Sequence, residues 1–257
     1  MQYSDYGLEG KRAIVTGAGT GVGKGCALEL AKGGAKVALL GRRQAPLDEA
    51  LEECLAYGIE AFTMSTDISS RAADAAAVAE TVKRFGGVDI LINNAGIDSQ
   101  VPKGQGFDQL FDTFDEEGYL EFFRIHTMGH YFMNLEVIPH MQKQKFGRVV
   151  NITSVTGLNG MASSPPYTAS KAAAILQTKP FARRYGKDNI TFNSIAPGMV
   201  NTPMKDHATP EMFKMTADRT PLGRVCQPID IARVAMFFSQ EHLYVTGQNI
   251  VVDGGSN

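Results

Sequence analysis

No apolar run in the chain approaches the roughly 20 residues needed to cross a bilayer. Charge is nearly balanced, with 25 Lys and Arg against 27 Asp and Glu and a formal net charge of −2. There is thus no basic field to hold nucleic acid or an anionic membrane. Cysteine is scarce. Cys26, Cys54 and Cys226 are far apart and odd in number, which argues against a disulfide framework and for a reducing cytoplasm. No CxxC or other metal-type cluster occurs. The stretch Met1-Gln2-Tyr3-Ser4-Asp5-Tyr6-Gly7 has no basic region followed by an apolar one, so no export signal is expected.

What is present is a regular alternation. The 257 residues are 44% hydrophobic, enough for one large domain over 1–257 with a sizeable core. Short apolar runs predict strands at 12–16, 36–40, 60–64, 88–92, 148–152, 190–195 and 249–252. Between them, amphipathic stretches predict helices at about 22–32, 45–57, 71–85, 118–144 and 167–185. Strands apolar on both faces and joined through helices imply a parallel sheet covered on both sides. No repeat, linker or low-complexity tract interrupts the pattern. The expected class is α/β, a doubly wound parallel sheet in a single domain.

Directly after the first strand comes Thr16-Gly17-Ala18-Gly19-Thr20-Gly21-Val22-Gly23. Glycines between a strand and a helix permit a tight turn and close approach of backbone to a dinucleotide pyrophosphate, whose charge the helix N-terminus favours. At the end of the second strand, where an acid often binds both adenosine ribose hydroxyls, stand Gly41-Arg42-Arg43. Two guanidiniums and no carboxylate favour a 2′-phosphate, hence NADP(H) over NAD(H). The alternative is a pair of solvated arginines on a surface loop. Tyr167 and Lys171, four apart in a stretch of small residues, share one face of a helix.

With Thr-Gly-x-x-x-Gly-x-Gly early and Tyr-x-x-x-Lys late, the chain resembles the short-chain dehydrogenase/reductase family over nearly its whole length. The resemblance implies a Rossmann-type fold that carries cofactor and substrate sites together. Asp67 and Ile68, in Thr66-Asp67-Ile68, match the adenine-contacting segment. Asn93-Asn94-Ala95-Gly96 matches the NNAG motif, and Pro197-Gly198, with Val200 and Thr202 beyond, matches the segment along the nicotinamide. Ser154, 13 residues before Tyr167, matches the catalytic serine.

The resemblance implies that Tyr167 is the acid/base of hydride transfer between a secondary alcohol and a ketone, with Ser154 stabilising the substrate oxygen and Lys171 holding the nicotinamide ribose. A free phenol has a pKa near 10, and Lys171 and the positive nicotinamide are expected to lower it. A non-catalytic dinucleotide sensor is the remote alternative, and such proteins usually lose the tyrosine or lysine.

Two departures stand out. Where the family usually has asparagine in Asn-x-x-Gly, this chain has His126-Thr127-Met128-Gly129. His126 could relay protons, or simply pack near the site. Some family members acting on hydroxyacyl-CoA carry histidine here, so a 3-hydroxyacyl/3-oxoacyl thioester activity is the runner-up. His130 and His140 lie nearby, but without carboxylates at ligand spacing no metal is expected. The second departure is the extra length within 97–118, including Ser99 to Phe107, which could line the pocket, join an interface or be a tolerated loop. Past Pro197-Gly198, Met199, Met204, Met212, Phe213 and Met215 suit either a lid over an apolar substrate or packing of a short helix on the core. The family habit implies a homodimer or homotetramer pairing the helices at about 118–144 and 166–185.

Overall fold

The computed structural model describes residues 6–98, 114–160, 164–205 and 208–256. The insertion segment 99–113, including the expected pocket-lining Ser99 to Phe107, lies outside the described residues.

Seven strands form one all-parallel sheet: β1 (Arg12–Thr16), β2 (Lys36–Gly41), β3 (Ala61–Ser65), β4 (Ile90–Asn93), β5 (Gly147–Ile152), β6 (Ile190–Pro197) and β7 (Asn249–Val252). Their order is β3-β2-β1-β4-β5-β6-β7. The chain winds outward from β1 to β3, then returns to pair β4 on the other side of β1. The crevice beyond the carboxyl ends of β1 and β4 is therefore the topological switch point, where open α/β sheets bind ligands.

Alternation along each strand explains why both faces are apolar. Ala13, Val15, Ile90 and Ile92 pack with Ala27, Leu30, Ile231 and Ala235 of α1 (Gly21–Lys32) and α9 (Pro228–Phe238). Ile14, Leu91, Val149 and Phe192 pack on the opposite side with Val78 of α3 (Arg71–Phe85) and Met133 and Val137 of α5 (His130–Gln144). Each such side chain contributes about 1.5–3 kcal/mol when fully buried. The remaining helices are α2 (Gln44–Leu55), α4 (Glu116–Phe123), α6 (Thr156–Asn159), α7 (Pro165–Tyr185) and α8 (Pro210–Arg219).

The expected continuous helix over 118–144 is instead α4, a π-helical turn at Arg124–Gly129, and α5. The widened turn lies at His126-Thr127-Met128-Gly129, where Gly129 lets the helix approach Ile68. A Cβ on Gly129 would stand 2.7 Å from the Ile68 carbonyl oxygen. Helices α6, α8 and α9 were not expected from apolar periodicity. Below the site, Asn93 Nδ2 donates to Asn134 Oδ1 (2.8 Å) and Asn151 Oδ1 (2.9 Å), and Asn151 Nδ2 donates to Thr178 Oγ1 (3.2 Å). These buried bonds register β4 and β5 against α5 and α7. Among the described residues no helix is long and apolar enough to cross a membrane.

Candidate active site

The glycine turn and the Asn94 loop interlock at the switch point. Thr16 Oγ1 accepts the backbone N–H groups of Asn94 (2.9 Å) and Ala95 (3.0 Å), while Asn94 Nδ2 donates to the carbonyls of Thr16 (3.0 Å) and Gly17 (3.2 Å). A Cβ on Gly23 would overlap Gly17 O and Asn94 Nδ2, so only glycine lets α1 start this close to the turn. Gly17 (φ +65°) and Gly21 (φ +55°) occupy the left-handed region, where a side chain is strained. A Cβ on Gly21 would come within 3.0 Å of the Thr202 methyl, so the segment from Pro197 and Gly198 to Val200 and Thr202 closes over the turn. The side chain of Thr20, the residue before α1, makes no capping bond, and the first turn of α1 holds no acid. The open amide end and its partial positive charge suit a pyrophosphate.

At the outer end of this groove Arg42 and Arg43 are exposed. The Asp67 carboxylate lies below the usual range, first because it accepts the Ser69 N–H (3.0 Å) and also because of the Arg42 charge. Ile68 is buried beside it. Neither guanidinium has an ion pair within 4 Å among the described residues, although the Asp67 carboxylate feels the Arg42 charge.

The first residues of α7 bring Tyr167 and Lys171 to the same place. Ser164 caps the helix by accepting the Tyr167 N–H, with Pro165 and Pro166 in the first turn, an arrangement that starts a helix firmly. Gly157 of α6 lets its chain lie on α7: a Cβ there would stand 2.7 Å from Ala172 N. Ser154, just past the end of β5, thereby stands near the Tyr167 phenol and favours its charged form. The Tyr167 ring meets His126 edge to face (centroids 5.3 Å, planes 86° apart) and also Phe122 (6.2 Å, 83°). Lys171 is 5% exposed; its Nζ donates to Ile152 O (3.3 Å) and lies 5.8 Å from the Tyr167 ring centre.

The expectation of a lowered phenol pKa is not met by the protein groups alone. Burial pushes Tyr167 up, the Asp98 charge adds to this, and only Ser154 opposes them. Burial also pushes Lys171 down to about 8, against the pull of Asp98. Desolvation disfavours both charged forms at once, outweighing Ser154 at the phenol and the Asp98 charge at the ammonium.

His126 is fully buried and locked. The Ile97 N–H donates to its Nε2 (3.0 Å), which leaves the ring proton on Nδ1. Nδ1 then donates to Ser170 Oγ (2.9 Å), and Ser170 passes its own proton to the Tyr167 carbonyl (2.8 Å). Burial, then the Lys171 charge, holds this imidazole well below its usual pKa. One turn on, His130 lies within 3.3 Å of the Ala95 carbonyl through Nε2 and is pushed down to about 3 by burial. The two rings thus grip the Ala95–Ile97 backbone, one accepting and one donating. Sequence reasoning named His126 and quoted Thr16 only as the start of the glycine motif; it missed Ser170 and Asp98, whose types signal nothing until the fold brings them here.

Over the mouth, α8 has no buried residue, and Met204 and Met215 are exposed. Met199, Met212 and Phe213 are partly covered. Thr216 Oγ1 contacts Met199 Sδ at 3.1 Å, tying the helix to the Pro197-Gly198 segment. Cys26 and Cys54 are buried, with thiols pushed up to about 12 by desolvation, and Cys226 rises to about 11. None has the electropositive setting of a nucleophile.

Comparison with known proteins agrees with this geometry. Residues 17–257 match a family model described as Enoyl-(Acyl carrier protein) reductase. The chain is 35% identical to the 3-oxoacyl-(acyl-carrier-protein) reductase FabG of Thermotoga maritima, over 96% of this chain and 98% of that protein. It is 34% identical to the 2-dehydro-3-deoxy-D-gluconate 5-dehydrogenase of Dickeya dadantii, over 99% and 98%. The crystal structure of levodione reductase superposes with a TM-score of 0.87 at 28% identity, over 96% of this chain and 97% of that one. A dinucleotide groove at the switch point and a serine, tyrosine and lysine gathered beside it, in a chain matched end to end by such relatives, place this protein in the short-chain dehydrogenase/reductase family of NAD(P)-dependent oxidoreductases acting on CH–OH groups.

Proposed function

We propose that the protein interconverts a secondary alcohol and a ketone with NADP(H), on an apolar alicyclic, steroid-like or aromatic substrate. The observation that carries this reading is the gathering of Ser154, Tyr167 and buried Lys171 at the carboxyl ends of the strands, with Lys171 Nζ 5.8 Å from the Tyr167 ring centre. Gly17 and Thr20 to Gly23 would hold the pyrophosphate, Arg42 and Arg43 a 2′-phosphate, and Asp67 and Ile68 the adenine. Asn94 to Gly96, Lys171, Pro197, Gly198, Val200 and Thr202 would hold the nicotinamide end. When bound, that ring supplies or takes up the hydride. In reduction, Tyr167 gives its phenolic proton to the substrate oxygen as the carbonyl carbon is reduced; in oxidation it takes a proton back. Ser154 donates a hydrogen bond to that oxygen as charge develops, and Lys171 favours the anionic form of Tyr167. His126 acts as a neutral tie between the Asn94 loop and α7, since both ring nitrogens are already engaged.

A thioester substrate is the second reading, favoured by the FabG relatives and by His126. The exposed methionines of the α8 region support the apolar ketone. The discriminating experiment is NADPH-dependent turnover of cyclohexanone, acetophenone, a 3-oxosteroid and acetoacetyl-CoA. Reduction of the ketones is expected; preference for the thioester supports the second reading, and turnover of none overturns both. Titration should show NADP(H) bound more tightly than NAD(H), with Arg42→Ala weakening NADP(H) roughly tenfold or more, the value of one charged hydrogen bond. Preference for NAD(H), indifferent to the substitution, would sink the cofactor assignment. The three free cysteines fit a reducing cytoplasm. Exposed Met128, Tyr131 and Leu176 on the long helices support a homodimer or homotetramer, which sedimentation at monomer mass would refute.

A further inference from the structure

A serine hydroxyl has one proton and two acceptor sites, so what fills its acceptor sites decides where its proton can point. Ser154 Oγ accepts the backbone N–H of Thr156 at 3.3 Å. Thr156 Oγ1 stands 3.0 Å from the same oxygen, and Ser154 also favours the charged form of the nearby Tyr167 phenol. The amide can only donate, so it occupies one acceptor site whatever the hydroxyls do. Two arrangements remain. Either the Thr156 hydroxyl donates and the Ser154 proton points into the pocket, or the Ser154 proton turns back to Thr156 and the pocket loses its donor.

Among the described residues the Thr156 hydroxyl has no hydrogen-bond partner other than Ser154. Its backbone is anchored through both chain neighbours. Thr156 opens α6, the Val155 N–H donates to Pro197 O (3.0 Å), and Gly157 lies against the backbone of Lys171 and Ala172. A β-branched side chain on so fixed a backbone has little rotamer choice.

We propose that Thr156 is a positioning residue for the reaction: its hydroxyl fills the second acceptor site of Ser154 and so commits the serine proton to the substrate oxygen. As negative charge grows on that oxygen, a relay of two aligned hydroxyls polarises further than one alone. Thr156 itself touches neither substrate nor cofactor, and it acts only through Ser154.

The inference rests on Ser154 having the role proposed above, and the test separates the two. Turnover is measured with NADPH and the fastest of the four carbonyl compounds, for Thr156→Val, Thr156→Ser, Ser154→Ala and the double variant Ser154→Ala/Thr156→Val. Thr156→Val keeps the shape and removes the hydroxyl, so kcat should fall roughly three- to tenfold, the effect of one hydrogen bond, with KM little changed. Thr156→Ser should restore the rate. In the Ser154→Ala background the valine substitution should cost nothing more, because there is no serine proton left to direct. In alcohol oxidation, the pH at which Thr156→Val reaches half its maximal rate should move upward, since the serine bond that favours phenolate is weakened. Wild-type turnover by Thr156→Val, or a valine loss that persists in the Ser154→Ala background, overturns the inference while leaving the Ser154 assignment standing. A Ser154→Ala protein as active as wild type overturns both.

Discussion

Replacing Tyr167 by phenylalanine should lower kcat by about 10²- to 10⁴-fold, the usual worth of a general acid or base, and leave NADP(H) binding and folding near wild type. The ring remains, and with it the contacts to His126 and Phe122; only the hydroxyl that meets Ser154 is lost. Retained turnover in this variant would remove Tyr167 from the chemistry. The pH dependence has a definite sign in each direction. Burial keeps the phenol protonated through neutral pH, so the proton donor for ketone reduction is in place there. Lys171, pushed down to about 8, loses its charge as pH rises through that value. For reduction, kcat/KM should be flat from pH 6 to 7 and fall above about 8, while alcohol oxidation, which needs the phenolate, should rise with pH. Because the two groups interact, the apparent values belong to the pair. No limb should appear near pH 6.5, since burial holds His126 neutral there. A limb at that pH abolished by His126→Asn would restore the proton-relay role.

Replacing Asp74 by asparagine should stabilise the protein at pH 8 and change little at pH 4. Asp74 lies on α3 with 0% of its surface exposed, and among the described residues neither carboxyl oxygen has a hydrogen-bond partner. Glu136 on α5 and Asp67 add like charge; Arg71 engages Glu136 instead (3.2 Å). Desolvation first, then those two carboxylates, push the group up to about 8, against about 3.9 in an unfolded chain. An acid with a raised folded-state pKa keeps the fold at full stability below the unfolded value. Stability is then lost as pH rises toward 8, where the loss levels off. The linkage amounts to about 3 kcal/mol or more at pH 8, which is about 6–12 °C in a chain of this size. Denaturant titrations of both proteins at pH 4 and pH 8 measure it. Equal gains at both pH values, or a loss at pH 8, would show that the carboxyl is not a buried acid.

Much of this could be read before folding was considered. The strands showed because each carries apolar side chains on both faces, a direct consequence of a sheet covered on both sides. Gly17, Gly21 and Gly23 showed because glycine after a strand has few other uses, and the contact of a Gly21 side chain with Thr202 explains why nothing larger fits. Helix α9 escaped a reading built on periodicity, although Pro228 and the reciprocal bonds of Gln227 and Asp230 mark its start. The π turn escaped because no local preference encodes it. It is held by the Ile68 carbonyl against Gly129 and by the bonds of His126, all from residues distant in sequence.

The sequence by itself therefore determined the parallel doubly wound sheet, the glycine turn and the serine–tyrosine–lysine set, because each rests on a residue type or spacing that physical chemistry restricts. Only the tertiary structure decided the protonation and direction of the groups around them. Burial, not the neighbouring lysine, governs the Tyr167 phenol. The Ile97 amide selects the His126 tautomer, and Thr156 lies against Ser154. These are properties of distance and desolvation, which arise only when separate segments share one site.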